Sequence, residues 1–177
     1  MIIQRAWGMP SLNTFNCPPI RDFVGKYIAK AKVSVDPFAR NKRWATHTND
    51  LNPTTAAQHH MDAAEFCFML SKQGVEADLV IIDPPYSPRQ VKECYDGIGI
   101  RMKQDDALLG MQRKKLKSAI WSLTKCGSIV ITCGWNSVGM GNGWCKIEIL
   151  LVCHGSDHND TICQAERRNY TLFDPIH

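Results

Sequence analysis

The chain has 177 residues, with 21 Lys and Arg against 17 Asp and Glu for a formal charge of +4, and 44% of it is hydrophobic. A chain of this size buries roughly 70% of its unfolded surface, so one domain with one core is expected, and the composition excludes a disordered or low-complexity protein. No apolar run approaches the roughly 18 residues of a membrane span, and the Met1 to Arg5 start lacks the layout of a signal peptide, so a cytoplasmic protein without membrane contact is expected. The mild positive charge suits a polyanionic partner without demonstrating one. None of the eight cysteines forms a C-x-x-C pair, and Cys67, Cys133, Cys153 and Cys163 fall in apolar runs. Reduced structural thiols and no metal site are the expectation.

Along the chain, strands alternate with helices. A helix is predicted from Ile20 to Ala31, then a short β-branched strand from Lys32 to Val35 that stops at Asp36-Pro37. A second strand is predicted from Trp44 to Thr48, a short third strand before Asp62, and a helix from Ala63 to Lys72, where Phe66, Met69 and Leu70 recur at helical spacing. The clearest strand is Ala77 to Ile82, a continuous apolar run halted by Asp83-Pro84-Pro85, which reads as a parallel strand buried on both faces. A helix from Gln112 to Thr124 and a strand from Ser128 to Thr132 follow. Two last strands, Lys146 to Cys153 and Thr161 to Arg167, lie too close in sequence for a crossover helix, so they pair antiparallel. The expected fold is α/β: a doubly wound, Rossmann-like, mostly parallel seven-stranded sheet with a C-terminal antiparallel hairpin.

Ligands of such sheets bind beyond the carboxyl ends of the strands, where Asp36, Asp50, Asp62 and Asp83 all fall. An acid after the second strand commonly accepts from ribose hydroxyls, which makes Asp50 the candidate. No G-x-G-x-x-G follows the first strand, so a pyrophosphate cradle is not expected, and a nucleoside cofactor without phosphates, such as S-adenosylmethionine, fits better.

Asp83-Pro84-Pro85-Tyr86 after a buried strand resembles the D-P-P-Y motif of N6-adenine DNA methyltransferases. Val35-Asp36-Pro37-Phe38-Ala39 is similar to that family's cofactor motif, and Thr48 to Pro53 and Met61-Asp62-Ala63 match its next two cofactor positions. From Val33 to Arg168 the chain resembles small adenine methyltransferases of phages and prophages, with Gly134 to Ser137 and His158 to Thr161 included. The resemblance implies that S-adenosyl-L-methionine is the cofactor. It places Asp36, Pro37, Phe38 and Ala39 near the methionine part, Asp50 of Asp50-Leu51-Asn52 on the ribose, and Asp62 with Ala63 at the adenine. Asn13-Thr14-Phe15 takes the place of the segment that closes over the cofactor. Arg40 stands where the family usually has glycine, and there it would either crowd the methionine carboxylate or pair with it.

The chemistry explains the residue types. The adenine amine is a poor nucleophile until acceptors on its hydrogens draw the nitrogen toward tetrahedral geometry, and the Asp83 carboxylate and Pro84 carbonyl can be those acceptors. The two prolines stiffen the loop. Tyr86 offers an aromatic face to the base, a contact worth about 1 to 3 kcal/mol. The amine is inaccessible in a duplex, so the base is flipped out of double-stranded DNA or taken from a single strand. Arg89, Lys92, Arg101 and Lys103 leave the catalytic loop directly and are the phosphate-binding candidates, with Trp135 and Asn136 facing the base. The bland alternatives are a strand-ending turn at Asp83, a turn at Asp50, a helix cap at Asp62 and a solvated basic face from Arg113 to Lys117. Competing functions are an RNA adenine methyltransferase and a catalytically silent cofactor- or DNA-binding subunit. Glutamine-modifying relatives carry Asn in place of Asp83. No separate target-recognition domain fits, so specificity is expected to be short, read from Ser87 to Gly110 or the loops near Asn142 and Asp157, unless a homodimer or second subunit completes the site.

Overall fold

The computed structural model describes residues 1–101 and 114–169. Strand β1, Ile2–Trp7, leads through a 3-10 turn at Thr14–Asn16 into helix α1, Pro18–Ile28. Prolines open α1 because the first helical turn has no partner for the N–H they lack. Two short strands follow, β2, Ser34–Asp36, and β3, His47–Thr48, and then helix α2, Ala63–Lys72. Strand β4, Ala77–Ile82, ends at the Asp-Pro-Pro loop and is followed by helix α3, Pro88–Gly97. Beyond residue 113 come helix α4, Lys114–Leu123, and strands β5, Thr124–Gly134, β6, Trp144–Cys153, and β7, Thr161–Arg168.

The sheet has seven strands in the order β1-β6-β7-β5-β4-β2-β3. Strand β7 is antiparallel to both neighbours, β5 and β6, and every other pairing is parallel. The chain runs outward from β2 to β3 and then returns to the opposite side of β2 with β4. Strand order therefore reverses between β2 and β4, the place where an open α/β sheet leaves a crevice. Ser34 and Val35 pair with Leu79 and Val80, so Asp36 and Asp83 lie at neighbouring strand ends.

Alternation along β4 explains its unbroken apolar run. Val80 and Ile82 pack with Val35 and Val130 under α2 and α4, against Phe66, Leu70, Leu116 and Ile120. Leu79 and Ile81 face the other way and pack with Ile131 under α1, against Ile20, Phe23 and Val24. Each of the four β4 side chains is at most 1% exposed. Burying such a side chain contributes about 1.5 to 3 kcal/mol, so the two-sided core fixes the register of the strand that carries Asp83.

The seven strands are not the seven expected. The predicted third strand before Asp62 is reduced to one bridge, Asn49 with His59. Its place in the count is taken by β1, which extends the far edge along β6. The first strand shifts from Lys32–Val35 to Ser34–Asp36 because the N–H groups of Lys32 and Val33 donate to the Asp78 carboxylate instead of to a ladder. The second shortens to His47–Thr48, since the Thr46 hydroxyl and N–H are taken up by Ser34. Helix α3 was not expected at all. No helix among the described residues is long and apolar enough to cross a membrane.

Candidate active site

Three cofactor-type segments are joined by one side chain that the sequence reading passed over. Asn49 is fully buried, and its backbone N–H donates to the Asp36 carbonyl while its carbonyl accepts from Ala39 N–H. Its side-chain amide donates to the carbonyls of Pro37 (3.2 Å) and Met61 (2.9 Å) and accepts from Met61 N–H (3.0 Å). The amide thus replaces the missing strand ladder and brings residues 36–39, 49–52 and 61–63 together. Asn49→Ala is expected to leave three backbone groups without partners and to cost about 1 to 3 kcal/mol of stability, read as a lower urea midpoint.

These segments form one wall of a cavity of about 940 Å³, which Asp50, Leu51, Asn52, Asp62 and Ala63 line together with Pro37 and Phe38. Asp50 makes a local turn, its Oδ1 accepting from Asn52 N–H (2.9 Å), while Oδ2 accepts from Arg40 N–H (3.1 Å). The turn reading and the cavity position therefore hold together. The same is true of Asp62, whose Oδ1 caps α2 by accepting from Ala64 and Glu65 N–H. Asp62→Ala is expected to lower the melting temperature through loss of a cap worth about 1 kcal/mol.

The opposite wall is the loop after β4, with Asp83, Pro84, Pro85 and Tyr86 all lining the cavity. The Tyr86 N–H donates to Gln90 Oε1 of α3 (2.7 Å), which moors the loop to that helix. The Tyr86 hydroxyl donates to Asp83 Oδ1 (2.5 Å), so the Thr14 hydroxyl, 3.2 Å away, is left to donate to it. The ring packs toward the α1 side of the core and meets Trp135 edge-on at 5.8 Å. Tyr86 therefore occupies one oxygen of Asp83. The sequence reading saw the ring but not this hydroxyl.

Burial pushes the Asp36 carboxyl up to about 7; the Phe38 N–H on its Oδ1 eases the shift, and the charge of Asp83 adds to it. Its Oδ2 has no hydrogen-bond partner, with the Trp44 indole N–H near enough to ease the charge yet outside hydrogen-bond geometry. Asp83, at the base of the cavity with part of its surface open to it, is pushed up to about 6 by the dense packing around it. The hydroxyls of Tyr86 and Thr14 and the charge of Arg40 hold it lower than burial alone would. Burial and the Asp83 charge raise Tyr86, so it stays protonated as the donor. The Asp83 carboxylate in the cavity wall, with Asp36 buried beside it, suits a ligand that carries positive charge.

The remaining candidates are spread wider. Thr14 lines the cavity, Asn13 starts the 3-10 turn, and Phe15 is buried against Trp44 at 4.8 Å. Ala39 is buried behind the wall. Arg89 and Lys92 lie on the exposed side of α3, ion-paired with Glu93 and Asp96 one turn on. Arg101 is exposed, and Lys103 lies outside the described residues. Trp135 lines the cavity, whereas the Asn136 side chain caps Val138 N–H. His154 was not singled out for this role, yet it lines the cavity and ties two strand ends. Its Nδ1 donates to the Gly8 carbonyl (2.7 Å), which leaves Nε2 to accept from Thr161 Oγ1 (2.9 Å). No group of three or more His, Cys, Asp or Glu among the described residues is arranged to hold a metal ion.

No protein-family model matches the sequence, and no curated protein matches it. Solved structures do match. One is a candidate S-adenosylmethionine-dependent methyltransferase from Streptococcus mutans, at TM-score 0.51 and 12% identity over 82% of this chain and 48% of that one. Another is SMU.776, a candidate methyltransferase complexed with S-adenosylhomocysteine, at TM-score 0.55 and 11% identity over 83% of this chain and 49% of that one. The chain spans about half the length of these two. The candidate methyltransferase yhhF from Escherichia coli matches at TM-score 0.51 and 12% identity over 92% of this chain and 88% of that one. At such identities the likeness is one of fold, and the fold is the Rossmann-like one of these proteins.

Proposed function

We propose that the chain transfers a methyl group from S-adenosyl-L-methionine to the N6 amine of adenine in DNA. The observation that carries this reading is that Asp83-Pro84-Pro85-Tyr86, at the strand end beside the order reversal, shares one cavity with Asp50 and Asp62. The residues fit the cofactor. Asp50 lines the cavity where ribose hydroxyls can reach its carboxylate, Asp62 and Ala63 line the side given to the adenine ring, and the negative charge of Asp83 favours a cationic centre, with Asp36 buried behind the wall. When bound, the cofactor supplies an electrophilic methyl group on a sulfonium.

The work of this chain is then to present the amine. Asp83 and the Pro84 carbonyl accept its hydrogens, which raises electron density on nitrogen on the side facing the methyl group. The prolines hold both acceptors in one geometry, so little reorganisation is left for the reaction. Tyr86 releases Asp83 Oδ1 as the base enters and turns its ring to the base. Trp135 lies close enough to close the other side. DNA phosphates would meet Arg101 sooner than Arg89 or Lys92, whose charges are partly neutralised.

A silent cofactor-binding subunit is the second reading, favoured by the Tyr86 hydroxyl standing on Asp83. Methyl transfer from labelled cofactor to double-stranded DNA, single-stranded DNA and RNA, with Asp83→Ala as control, separates the two. N6-methylated deoxyadenosine that the control lacks supports the enzyme. N6-methylated adenosine made only in RNA moves the substrate. Cofactor binding without transfer to any of the three supports the subunit.

A further inference from the structure

We propose that Arg40 selects the cofactor by its amino-acid end: the guanidinium pairs with the α-carboxylate of an adenosyl amino acid in the cavity and thereby ties the Pro10 to Thr14 strap across it. The inference rests on the cofactor reading above and assigns a residue that reading leaves unused.

Arg40 has φ +50°, a left-handed conformation that glycine takes freely and that a residue with a Cβ takes under strain. The backbone is locked there by its N–H donating to Asp50 Oδ2 (3.1 Å). The geometry thus spends a position that favours glycine on the longest cationic side chain. That side chain reaches across the cavity mouth, where Nη1 donates to the Leu12 carbonyl (2.8 Å). Leu12 is 94% exposed, so its own burial does not hold the strap, and the Arg40 bond is what fastens its carbonyl.

The charge acts on Asp83 of the loop after β4 and on Cys94 of α3, both of which line the cavity with Arg40. A guanidinium has five N–H donors in a planar fork, and among the described residues the Leu12 carbonyl is the one protein acceptor this guanidinium meets. The rest of the fork is left for a ligand.

Charge balance says which ligand. Among the described residues, Arg40 is the one Lys or Arg lining the cavity, whereas Asp50, Asp62, Asp83 and Glu93 all line it. A ligand with a carboxylate is repelled by that wall unless the carboxylate meets Arg40, where a two-bond pair is the favoured geometry. A zwitterionic amino-acid end satisfies both signs at once, its cationic groups toward the acids of that wall and its carboxylate toward Arg40.

Two probes separate the ends of the ligand. S-adenosylhomocysteine carries the amino-acid end, and 5′-methylthioadenosine lacks it. Calorimetric affinities are measured for the unaltered protein, Arg40→Ala, Arg40→Lys and Arg40→Gly. Arg40→Ala is expected to weaken S-adenosylhomocysteine by about 10- to 100-fold and to change 5′-methylthioadenosine by less than about threefold. Arg40→Lys, which keeps the charge and loses the fork, falls between. Arg40→Gly relieves the backbone strain, so it folds at least as well as the parent, and it shows the same split as Arg40→Ala. Bound S-adenosylhomocysteine slows amide exchange of residues 11–14 in the parent and not in Arg40→Gly. Equal losses for both probes in Arg40→Gly, or no loss of S-adenosylhomocysteine, would overturn the role of Arg40 while leaving the cofactor reading intact. Failure of the unaltered protein to bind either probe would instead remove the cofactor reading itself.

Discussion

Asp83→Asn is expected to lower the rate of methyl transfer by about 10²- to 10³-fold, the cost of one acceptor in a dry, preorganised site, and to weaken cofactor binding as well, because it removes a negative charge from the cavity wall. The substitution is nearly isosteric, and the Tyr86 hydroxyl can donate to the new amide oxygen as it now donates to Asp83 Oδ1, so the loop keeps its shape. What is lost is the negative charge and one lone-pair face. If the amide presents its NH₂ to the adenine amine, donor opposes donor. The residual rate reflects the Pro84 carbonyl and the positioning of the base. Single-turnover kinetics with saturating cofactor is the measurement, and a rate equal to the parent's would remove the loop after β4 from the chemistry.

Cofactor affinity is expected to climb as pH rises from 5 to 7 and to level off above. Asp83, which lines the cavity, is pushed up to about 6, so below that value it is protonated and a cationic ligand must expel its proton to enter, whereas Asp36, pushed up to about 7, lies buried behind the wall. Each proton released makes affinity rise by up to tenfold per pH unit, which amounts to about tenfold between pH 5 and 7 for Asp83. The groups acting on Asp36 are the Phe38 N–H, the Trp44 indole and the charges of Asp83 and Asp50. Stability of the ligand-free protein runs the opposite way. A carboxyl raised on folding stabilises most below its unfolded value near 4 and loses that contribution as pH rises through about 7. Calorimetry at four pH values in buffers of different ionisation heat tests both statements, and an affinity unchanged from pH 5 to 8 would remove the Asp83 carboxylate from cofactor binding.

What could be read from the sequence follows from where the forces are local. Strand β4 and helix α2 begin and end where the residues predict. Their boundaries are set by neighbours in the chain, the Asp83-Pro84-Pro85 stop and the Asp62 cap. Helix α3 escaped notice because only Val91 of it is buried, although Ser87 before Pro88 carried a capping signal. Strand β1 has no alternation to read. Five of its six residues are exposed, and its conformation is dictated by residues 148–153 at the far end of the chain. The site shows the same division. The acids at the strand ends were legible because position after a strand is a local property. Asn49, Gln90 and His154 were not, because a buried amide or imidazole gains its meaning from partners that only folding supplies.

The pairing of β1 with β6 also orders events in time. The strap that Arg40 fastens hangs from β1, and β1 is held by strand β6, by the Gly8 N–H on the Cys153 carbonyl and by His154. During synthesis every residue that borders the cofactor space from Asp36 to Tyr86 has emerged before β6 exists. Contacts so distant in sequence form late, because closing the loop between them costs entropy before any bond repays it. The anchor of the cover is therefore expected to form only after residues 36–86 have been synthesised, with β6 pairing to β1 closing the longest span of chain in the sheet.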